Sequence, residues 1–375
     1  MKNIQMVDVK SQYLKIKQEI DAAILGVIEE TSFINGPAVK NFAIHLGEYL
    51  GGAKVIPCAN GTDALQIAMM ALDLKPGDEV IVPAFTYVAT AEVIGLLGLH
   101  PVMVDVDPET FNVDPKEIEK AITSKTRAIV PVHLFGQIAE MDKIMNIADQ
   151  YGLYVIEDNA QALGAFYKDG RKSGTIGHIG CTSFYPSKNL GAYGDGGAIM
   201  TRDEKLGEKL WIIANHGQRK RYYHDLIGVN SRLDSIQAAI LDIKLLHLDE
   251  YAAARQKAAA YYDHSFSDHS GIKTPVRSMD SNHVFHQYTL KVPSGDRDTL
   301  QEFLQSKGVP TMVYYPVPLY KQEAFKGYLG GSEFELPVTE DLCKTVISLP
   351  MHTEMTEEIL EYICFHVKEY FNHGS

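Results

Sequence analysis

A lysine within a glycine-rich segment has the clearest chemical potential in this sequence. Lys188 lies in the segment SFYPSKNLGAYGDGG, after a predicted strand and among several glycines. Apolar and small neighbours can desolvate a lysine, which lowers the pKa of the amine and frees it for Schiff-base chemistry. Most lysines are only surface charges, so a catalytic Lys188 requires supporting groups nearby.

A carboxylate is the first candidate for such support. Asp158 lies in VIEDNAQ, at the end of another predicted strand, where side chains of α/β proteins point into a ligand crevice. A buried carboxylate requires a partner, preferably a cation, and a protonated pyridine nitrogen would serve. The alternative interpretation is that Asp158 caps the start of a helix.

Two further segments could bind anions. The segment ANGTDAL places Gly61 and Thr62 at the start of a predicted helix, where free N–H groups and the helix dipole attract phosphate. The segment GVNSRLD places Asn230 and Arg232 before a long helix, and arginine binds phosphate or carboxylate through two parallel hydrogen bonds. Each segment could also be a plain capped helix start. Together with the lysine and the carboxylate, they meet the protein-side requirements of pyridoxal 5′-phosphate (PLP) chemistry.

Alternating strands and helices must position these four segments. Short apolar runs predict strands at Val55–Cys58, Glu79–Pro83, Pro101–Val106, Arg127–His133, Tyr154–Glu157 and Cys181–Tyr185. Nearly continuous apolar strands separated by helices are typical of an α/β fold with a mostly parallel sheet that is covered on both faces. Ligands of such sheets bind beyond the carboxyl ends of the strands, so we expect the four segments to meet there.

The pattern changes after residue 234. Asp234–Tyr262 is predicted to be one long helix that connects two domains, a large PLP-binding α/β domain at residues 1–247 and a small α+β domain at residues 248–375. The small domain is predicted to contain a strand at His286–Val292 and helices at Asp298–Lys307 and Thr356–Phe371. The glycine-rich region Tyr320–Glu335 is predicted to be a surface loop.

Composition excludes several classes of protein. The 375 residues include 35 basic and 48 acidic side chains, a net charge of −13, which lacks the basic footprint of a nucleic-acid binder. The four cysteines form no CxxC pair, so neither a zinc site nor a disulfide framework is expected. The charged N-terminus is no signal peptide, and no apolar stretch is long enough to cross a membrane. We therefore expect a cytoplasmic protein without a metal or a membrane contact.

The segments NGTDAL, PAFTYVATAEVI, VHLFGQ, EDNAQ, SFYPSKNLGAYGDGGA and GVNSRLD, in this order, resemble those of the DegT/StrS-type sugar aminotransferases. The resemblance implies a fold type I, aspartate aminotransferase-like PLP enzyme that acts on nucleotide-linked ketosugars. It is strongest to the aminotransferases of UDP-2-acetamido-2-deoxy-3-ketoglucuronate. It further implies an amino-acid donor such as L-glutamate, a homodimer with composite active sites, and a role in cell-surface polysaccharide or O-antigen biosynthesis.

The resemblance also implies residue roles. Lys188 would bind PLP covalently and move protons, and Asp158 would keep the pyridine nitrogen protonated. The other implied cofactor contacts are Gln161 with the ring oxygen, Tyr87 with the ring face, and Gly61, Thr62, Ser183 and, from the second subunit, Asn230 with the phosphate. The candidate sugar contacts are Arg232, His216, Tyr314 and Tyr315. Tyr314 departs from the pattern, because similar enzymes often have histidine there.

Other functions remain open at this point. The substrate could be a dTDP- or UDP-linked deoxysugar with a 3- or 4-keto group. A PLP-dependent sugar dehydratase is disfavoured, since the resemblance places histidine at the lysine position in those enzymes. A non-catalytic regulatory relative would be expected to lack Lys188 or Asp158 and to carry a DNA-binding module, whereas both residues are present. His133 is predicted to be structural rather than catalytic, because one lysine can carry the proton transfers.

Overall fold

The central element is a seven-stranded sheet. The computed structural model describes residues 4–293, 295–328 and 335–373. Its strands are β1 (Lys54–Cys58), β2 (Glu79–Pro83), β3 (His100–Val104), β4 (Thr126–Ile129), β5 (Tyr154–Asp158), β6 (Ile179–Ser183), β7 (Gly197–Thr201), β8 (Gln218–Lys220), β9 (Tyr223–His224), β10 (Tyr288–Lys291) and β11 (Val346–Leu349).

The sheet has the order β1-β7-β6-β5-β4-β2-β3 and is mostly parallel. The strand β7 runs antiparallel to both of its neighbours, β1 and β6. The chain therefore leaves β1, β2, β4, β5 and β6 at the same edge of the sheet, which is where the sequence predicted the site. The segment Gly197–Thr201 was not predicted to be a strand.

Helices cover both faces of the sheet and build the rest of the chain. They are α1 (Val9–Lys15), α2 (Lys17–Glu30), α3 (Pro37–Tyr49), α4 (Gly61–Ala71), α5 (Ala89–Leu96), α6 (Pro115–Ala121), α7 (Met141–Tyr151), α8 (Glu204–Ala214), α9 (Ser235–Leu245), α10 (Leu248–Phe266), α11 (Arg297–Ser306), α12 (Pro337–Thr345) and α13 (Glu357–His373). Local signals place several helix ends: Asp203 caps α8 by accepting two N–H bonds, and Gly152 ends α7 in a left-handed conformation.

The prediction of one long helix at Asp234–Tyr262 is wrong. Two helices, α9 and α10, meet at Leu246 and His247, whose N–H groups bond to carbonyls three residues earlier. Hydrogen bonds to the third residue before are typical of the end of an α-helix. The acidic residues Asp249 and Glu250 lie in the first turn of α10, where the helix dipole favours negative charge. No glycine or proline marks this break in the sequence.

The C-terminal part has a core of its own. Side chains of α10, α11 and α13 pack around the two-stranded sheet β10–β11. This packing supports the predicted boundary near residue 247, which stays a prediction. The N-terminus does not follow this boundary and packs on the C-terminal part. Ile4 is buried in the C-terminal core, and the carbonyl of Met6 accepts a hydrogen bond from the N–H of Met351.

The predicted loop at Tyr320–Glu335 lies partly outside the described residues, which omit 329–334. Its first part is not a simple surface loop. It forms short 3₁₀ turns at Leu319–Lys321 and Glu323–Tyr328, and Tyr320 and Phe325 are 2% and 3% exposed. These two aromatic side chains belong to the core cluster beside the central sheet. Among the described residues, no helix is long and apolar enough to cross a membrane.

Candidate active site

The Asp158 carboxylate lies at the carboxyl end of β5 and is buried. Its Oδ2 accepts a hydrogen bond from the Thr90 hydroxyl at 2.7 Å, and its Oδ1 accepts one from the Ala160 N–H at 3.1 Å. The following residues 160–164 form turns, so the alternative interpretation of Asp158 as a helix N-cap is wrong. Each oxygen keeps a lone pair for a further donor.

Lys188 follows β6 and is held near this carboxylate by the backbone of its own loop. Its N–H donates to the carbonyl of Tyr185 at 2.8 Å, and the next side chain, Asn189, donates to the carbonyl of Val284 at 3.2 Å. Burial lowers the pKa of the Lys188 amine to about 8, and the charge of Asp158 opposes the shift. A substantial fraction of the amine is therefore uncharged near neutral pH, as a nucleophile or a base requires.

The start of α4 forms an anion seat. Asn60 caps the helix by accepting the N–H of Asp63 at 2.8 Å, whereas the N–H groups of Gly61 and Thr62 have no acceptor among the described residues. Ser183, at the end of β6, stands against this turn. A Cβ atom on Gly61 would lie 2.8 Å from the Cβ of Ser183, so a larger residue at position 61 would push the two segments apart. The seat thus combines three predicted phosphate contacts.

Gln161 and Tyr315 form a second wall of the crevice. The Gln161 side chain accepts the Phe135 N–H at 2.7 Å and donates to the Tyr315 hydroxyl at 3.2 Å. The ring of Tyr315 lies 6.4 Å from the ring of Tyr87, which is 58% exposed and free to receive a planar partner. Burial raises the pKa of Tyr315, so its hydroxyl stays protonated. Tyr314 adjoins Tyr315, with ring centroids 6.0 Å apart.

The segment with Asn230 and Arg232 is attached to the phosphate seat through its intervening residue. The hydroxyl of Ser231 accepts the N–H of Ala59 at 3.0 Å. Asn230 is exposed, and Arg232 is half-buried without an ion pair among the described residues. His216 is also exposed, at the base of the β8–β9 hairpin. Within the described part of the chain, none of these three side chains forms a hydrogen bond or an ion pair with Lys188 or Asp158.

The interpretation of His133 as structural agrees with its surroundings. Its Nδ1 accepts the Ala139 N–H, so the proton is on Nε2, which donates to Glu157 at 2.8 Å. Both side chains are fully buried. Glu157 also accepts three backbone N–H groups from residues 174–177, which makes this pair a brace between β5 and the turn before β6.

Sequence analysis missed Thr90, which contacts the predicted catalytic carboxylate directly. Thr90 lies in PAFTYVATAEVI, a segment that the analysis did use, but threonine in a helix is common and nothing in its spacing indicates Asp158. Among the described residues, no group of three or more His, Cys, Asp or Glu side chains is placed to hold a metal ion.

The chain is similar to proteins of a known aminotransferase family. The model of the DegT/DnrJ/EryC1/StrS aminotransferase family matches residues 14–368. The chain is 48% identical to the UDP-2-acetamido-2-deoxy-3-oxo-D-glucuronate aminotransferase of Pseudomonas aeruginosa, over 96% of this chain and 98% of the relative. It is 46% identical to a protein of Geobacillus stearothermophilus named pleiotropic regulatory protein, over 99% of both chains.

A solved structure shows the same fold. NtdA from Bacillus subtilis, crystallised with bound cofactor PMP, matches with a TM-score of 0.89 and 33% identity, over 96% of this chain and 82% of that one. The predicted fold class, a fold type I transferase with a mostly parallel central sheet, is confirmed. The fold, the arrangement of the crevice and the match of residues 14–368 agree: the chain belongs to the DegT/DnrJ/EryC1/StrS aminotransferase family.

Proposed function

We propose that this enzyme uses PLP to move an amino group from L-glutamate to a nucleotide-linked ketosugar. The proposed substrate is UDP-2-acetamido-2-deoxy-3-ketoglucuronate, and the proposed product is the corresponding 3-amino sugar. This amino sugar would be used in the biosynthesis of a cell-surface polysaccharide such as O-antigen. One observation carries the proposal: the amine of Lys188, with a pKa of about 8, faces the buried carboxylate of Asp158 at the carboxyl edge of the sheet.

The crevice fits PLP in its donor and acceptor groups. The unpaired N–H groups of Gly61 and Thr62 suit a phosphate, and the glycine leaves no room for a side chain beside Ser183. The Thr86 hydroxyl, next to Tyr87, is buried without a partner among the described residues, as expected beside a ligand position. When bound, PLP supplies a conjugated ring that accepts the electron pair released from the carbon undergoing proton loss.

The chain's own groups then have distinct tasks. Asp158 holds a proton on the ring nitrogen, because an ionised carboxylate stabilises a protonated pyridine. The Lys188 amine takes a proton from one carbon and returns it to another, and its lowered pKa suits both steps near neutral pH. Gln161, fixed by the Phe135 N–H, presents its amide to the ring oxygen.

We further propose a homodimer in which each active site contains residues of both chains. Asn230 and His216 are exposed, and so are Tyr222, in the β8–β9 hairpin, and Ile227, just after it, which are 76% and 88% exposed. Apolar side chains that project this far are typical of protein interfaces. The basic residues at 219–221 on the same hairpin could help to neutralise a diphosphate across the interface.

Mixing two inactive variants tests this dimer. Lys188→Ala and Asn230→Ala chains are each expected to have little activity alone. After co-expression, a heterodimer has one intact site, so activity should return to about a quarter of the wild-type value per dimer, assuming random pairing and half-active heterodimers. Activity and molar mass are measured on the same sample. Full activity of a dilute monomer would contradict the composite site.

The carboxylate of the proposed sugar requires a cation, and Arg232 is our candidate. It lies two residues after Asn230, is half-buried, and has no carboxylate partner among the described residues. The Pseudomonas relative is named for a glucuronate substrate, which supports a uronate here. The alternative is that Arg232 only braces the start of α9.

Arg232→Lys separates these alternatives. A lysine cannot copy the two parallel hydrogen bonds of arginine, so kcat/KM for the uronate should fall about 10-fold or more. Purified enzyme is assayed with UDP- and dTDP-linked ketosugars, with and without a carboxylate, and the aminated products are identified by mass spectrometry. The rate of reaction with L-glutamate alone should hardly change. Equal losses for uronate and neutral sugars would contradict the assignment and favour a deoxysugar.

The name of the Geobacillus relative raises the possibility of a regulatory role. This chain has both Lys188, whose amine has a lowered pKa, and Asp158, which accepts the Thr90 hydroxyl, and both residues support catalysis. Absence of amino transfer to every ketosugar in the same assay would favour the regulatory function.

A further inference from the structure

The hydroxyl of Thr90 donates to the carboxylate that we assign to the ring nitrogen of PLP. We propose that Thr90 is a positioning residue, which keeps the Asp158 carboxylate aimed at that nitrogen. The inference rests on the proposed function and adds a residue that acts through Asp158 rather than on the substrate.

The geometry shows a dedicated contact. Thr90 is fully buried in the first turn of α5, and its Oγ1 lies 2.7 Å from Oδ2 of Asp158, which is 68 residues away in the chain. A threonine hydroxyl in a helix often bonds to the carbonyl of the preceding turn. Here the hydroxyl instead bonds to a carboxylate on the central sheet, and the other oxygen, Oδ1, accepts the Ala160 N–H.

Few other groups stabilise this carboxylate. Among the described residues, the titratable side chains that interact electrostatically with Asp158 include Lys188, Tyr315 and Cys181. Burial raises the pKa of both Tyr315 and Cys181, so they stay neutral and add no charge beside Asp158. The Lys188 amine is the remaining group that can carry a positive charge. In the proposed function it would also bond to the cofactor, so it is not a fixed donor to Asp158. The donors that stay in place throughout are the Thr90 hydroxyl and the Ala160 N–H.

Loss of the Thr90 hydroxyl should therefore loosen the Asp158 carboxylate. The carboxylate loses a hydrogen bond from a buried donor, one of the two contacts that hold its oxygens in place. It also loses the contact that fixes its rotation. Both losses leave the carboxylate less well aimed at the ring nitrogen and should weaken PLP binding.

The test compares three variants with the wild type. Thr90→Val removes the hydroxyl while keeping the shape, and Thr90→Ser keeps the hydroxyl. Thr339→Val is the matched control, because Thr339 is also fully buried and its hydroxyl also donates to a buried carboxylate, Asp105, at 2.7 Å. The readouts are the affinity of the cofactor-free protein for PLP, the absorbance spectrum of the complex, and the melting temperature of the cofactor-free protein.

Relative to the wild type, Thr90→Val should bind PLP about 10-fold more weakly and shift the absorbance spectrum of the complex. Thr90→Ser should recover most of the affinity. Thr339→Val should lower the melting temperature without changing the PLP affinity or the spectrum. An unchanged affinity and spectrum in Thr90→Val, or an equal loss of affinity in Thr339→Val, would overturn the inference. A wild-type protein that binds no PLP would instead contradict the proposed function.

Discussion

Replacing Lys188 with alanine is expected to abolish covalent attachment of PLP and to reduce turnover by at least about 1000-fold, since positioned acid–base groups contribute up to about 10⁴-fold. The amine is both the point of attachment and the group that moves the proton, so its loss removes two functions together. Borohydride reduction of the wild-type enzyme should bleach its yellow colour and fix the cofactor to the peptide that contains Lys188.

A second buried lysine, Lys244, provides an internal control for the identification of the labelled peptide. Burial also lowers the pKa of Lys244, to about 7, and its Nζ donates to the carbonyl of Gly191 within the loop that carries Lys188. If an uncharged amine were the only requirement, Lys244 would react as well. We expect no label on Lys244, because no ion pair with a carboxylate holds it among the described residues and it lies at Gly191 rather than at the start of α4. Label on Lys244, or normal turnover of Lys188→Ala, would contradict the assignment.

Asp158→Asn is expected to retain the fold and lose most of the activity, by about 100-fold or more. The amide has nearly the same shape, and its carbonyl oxygen can still accept the Thr90 hydroxyl. It carries no charge, however, so it cannot hold the ring nitrogen protonated, and the ring becomes a weaker electron acceptor. Single-turnover rates with L-glutamate measure this effect directly.

Asp105→Asn is the matched control for this substitution. Asp105 is also buried, at the end of β3, and accepts the N–H groups of Val338 and Thr339 at the start of α12. Its replacement should reduce thermal stability while the folded enzyme keeps its single-turnover rate. Full activity in Asp158→Asn would mean that the cofactor lies elsewhere, and equal losses in both variants would indicate a general effect on folding.

Sequence patterns were sufficient for the parallel part of the sheet and for the residues at its edge. The strand β2 has the predicted bounds, because its apolar run ends at a proline and flanking polar residues. The segments with Gly61, Asp158 and Lys188 meet because the carboxyl ends of parallel strands share an edge. These predictions depend only on local sequence and one general rule of α/β folds.

Features that depend on distant partners could not be predicted in this way. The strand β7 begins at a glycine and runs antiparallel, and the break between α9 and α10 has no glycine or proline. The contact of Thr90 with Asp158 joins residues far apart in the chain. The proposed roles of Asn230, Arg232 and His216 would require a second chain, and in the single chain these residues are exposed or half-buried.

Transfer of labelled nitrogen tests the central claim most directly. The enzyme is incubated with L-glutamate carrying ¹⁵N and with UDP-2-acetamido-2-deoxy-3-ketoglucuronate, and the sugar nucleotide is analysed by mass spectrometry. The account predicts a 3-amino sugar nucleotide that contains the label, one 2-oxoglutarate formed for each amino group transferred, and no product with Lys188→Ala. A PLP-loaded wild-type enzyme that forms no labelled amino sugar from this or any other nucleotide-linked ketosugar would contradict it.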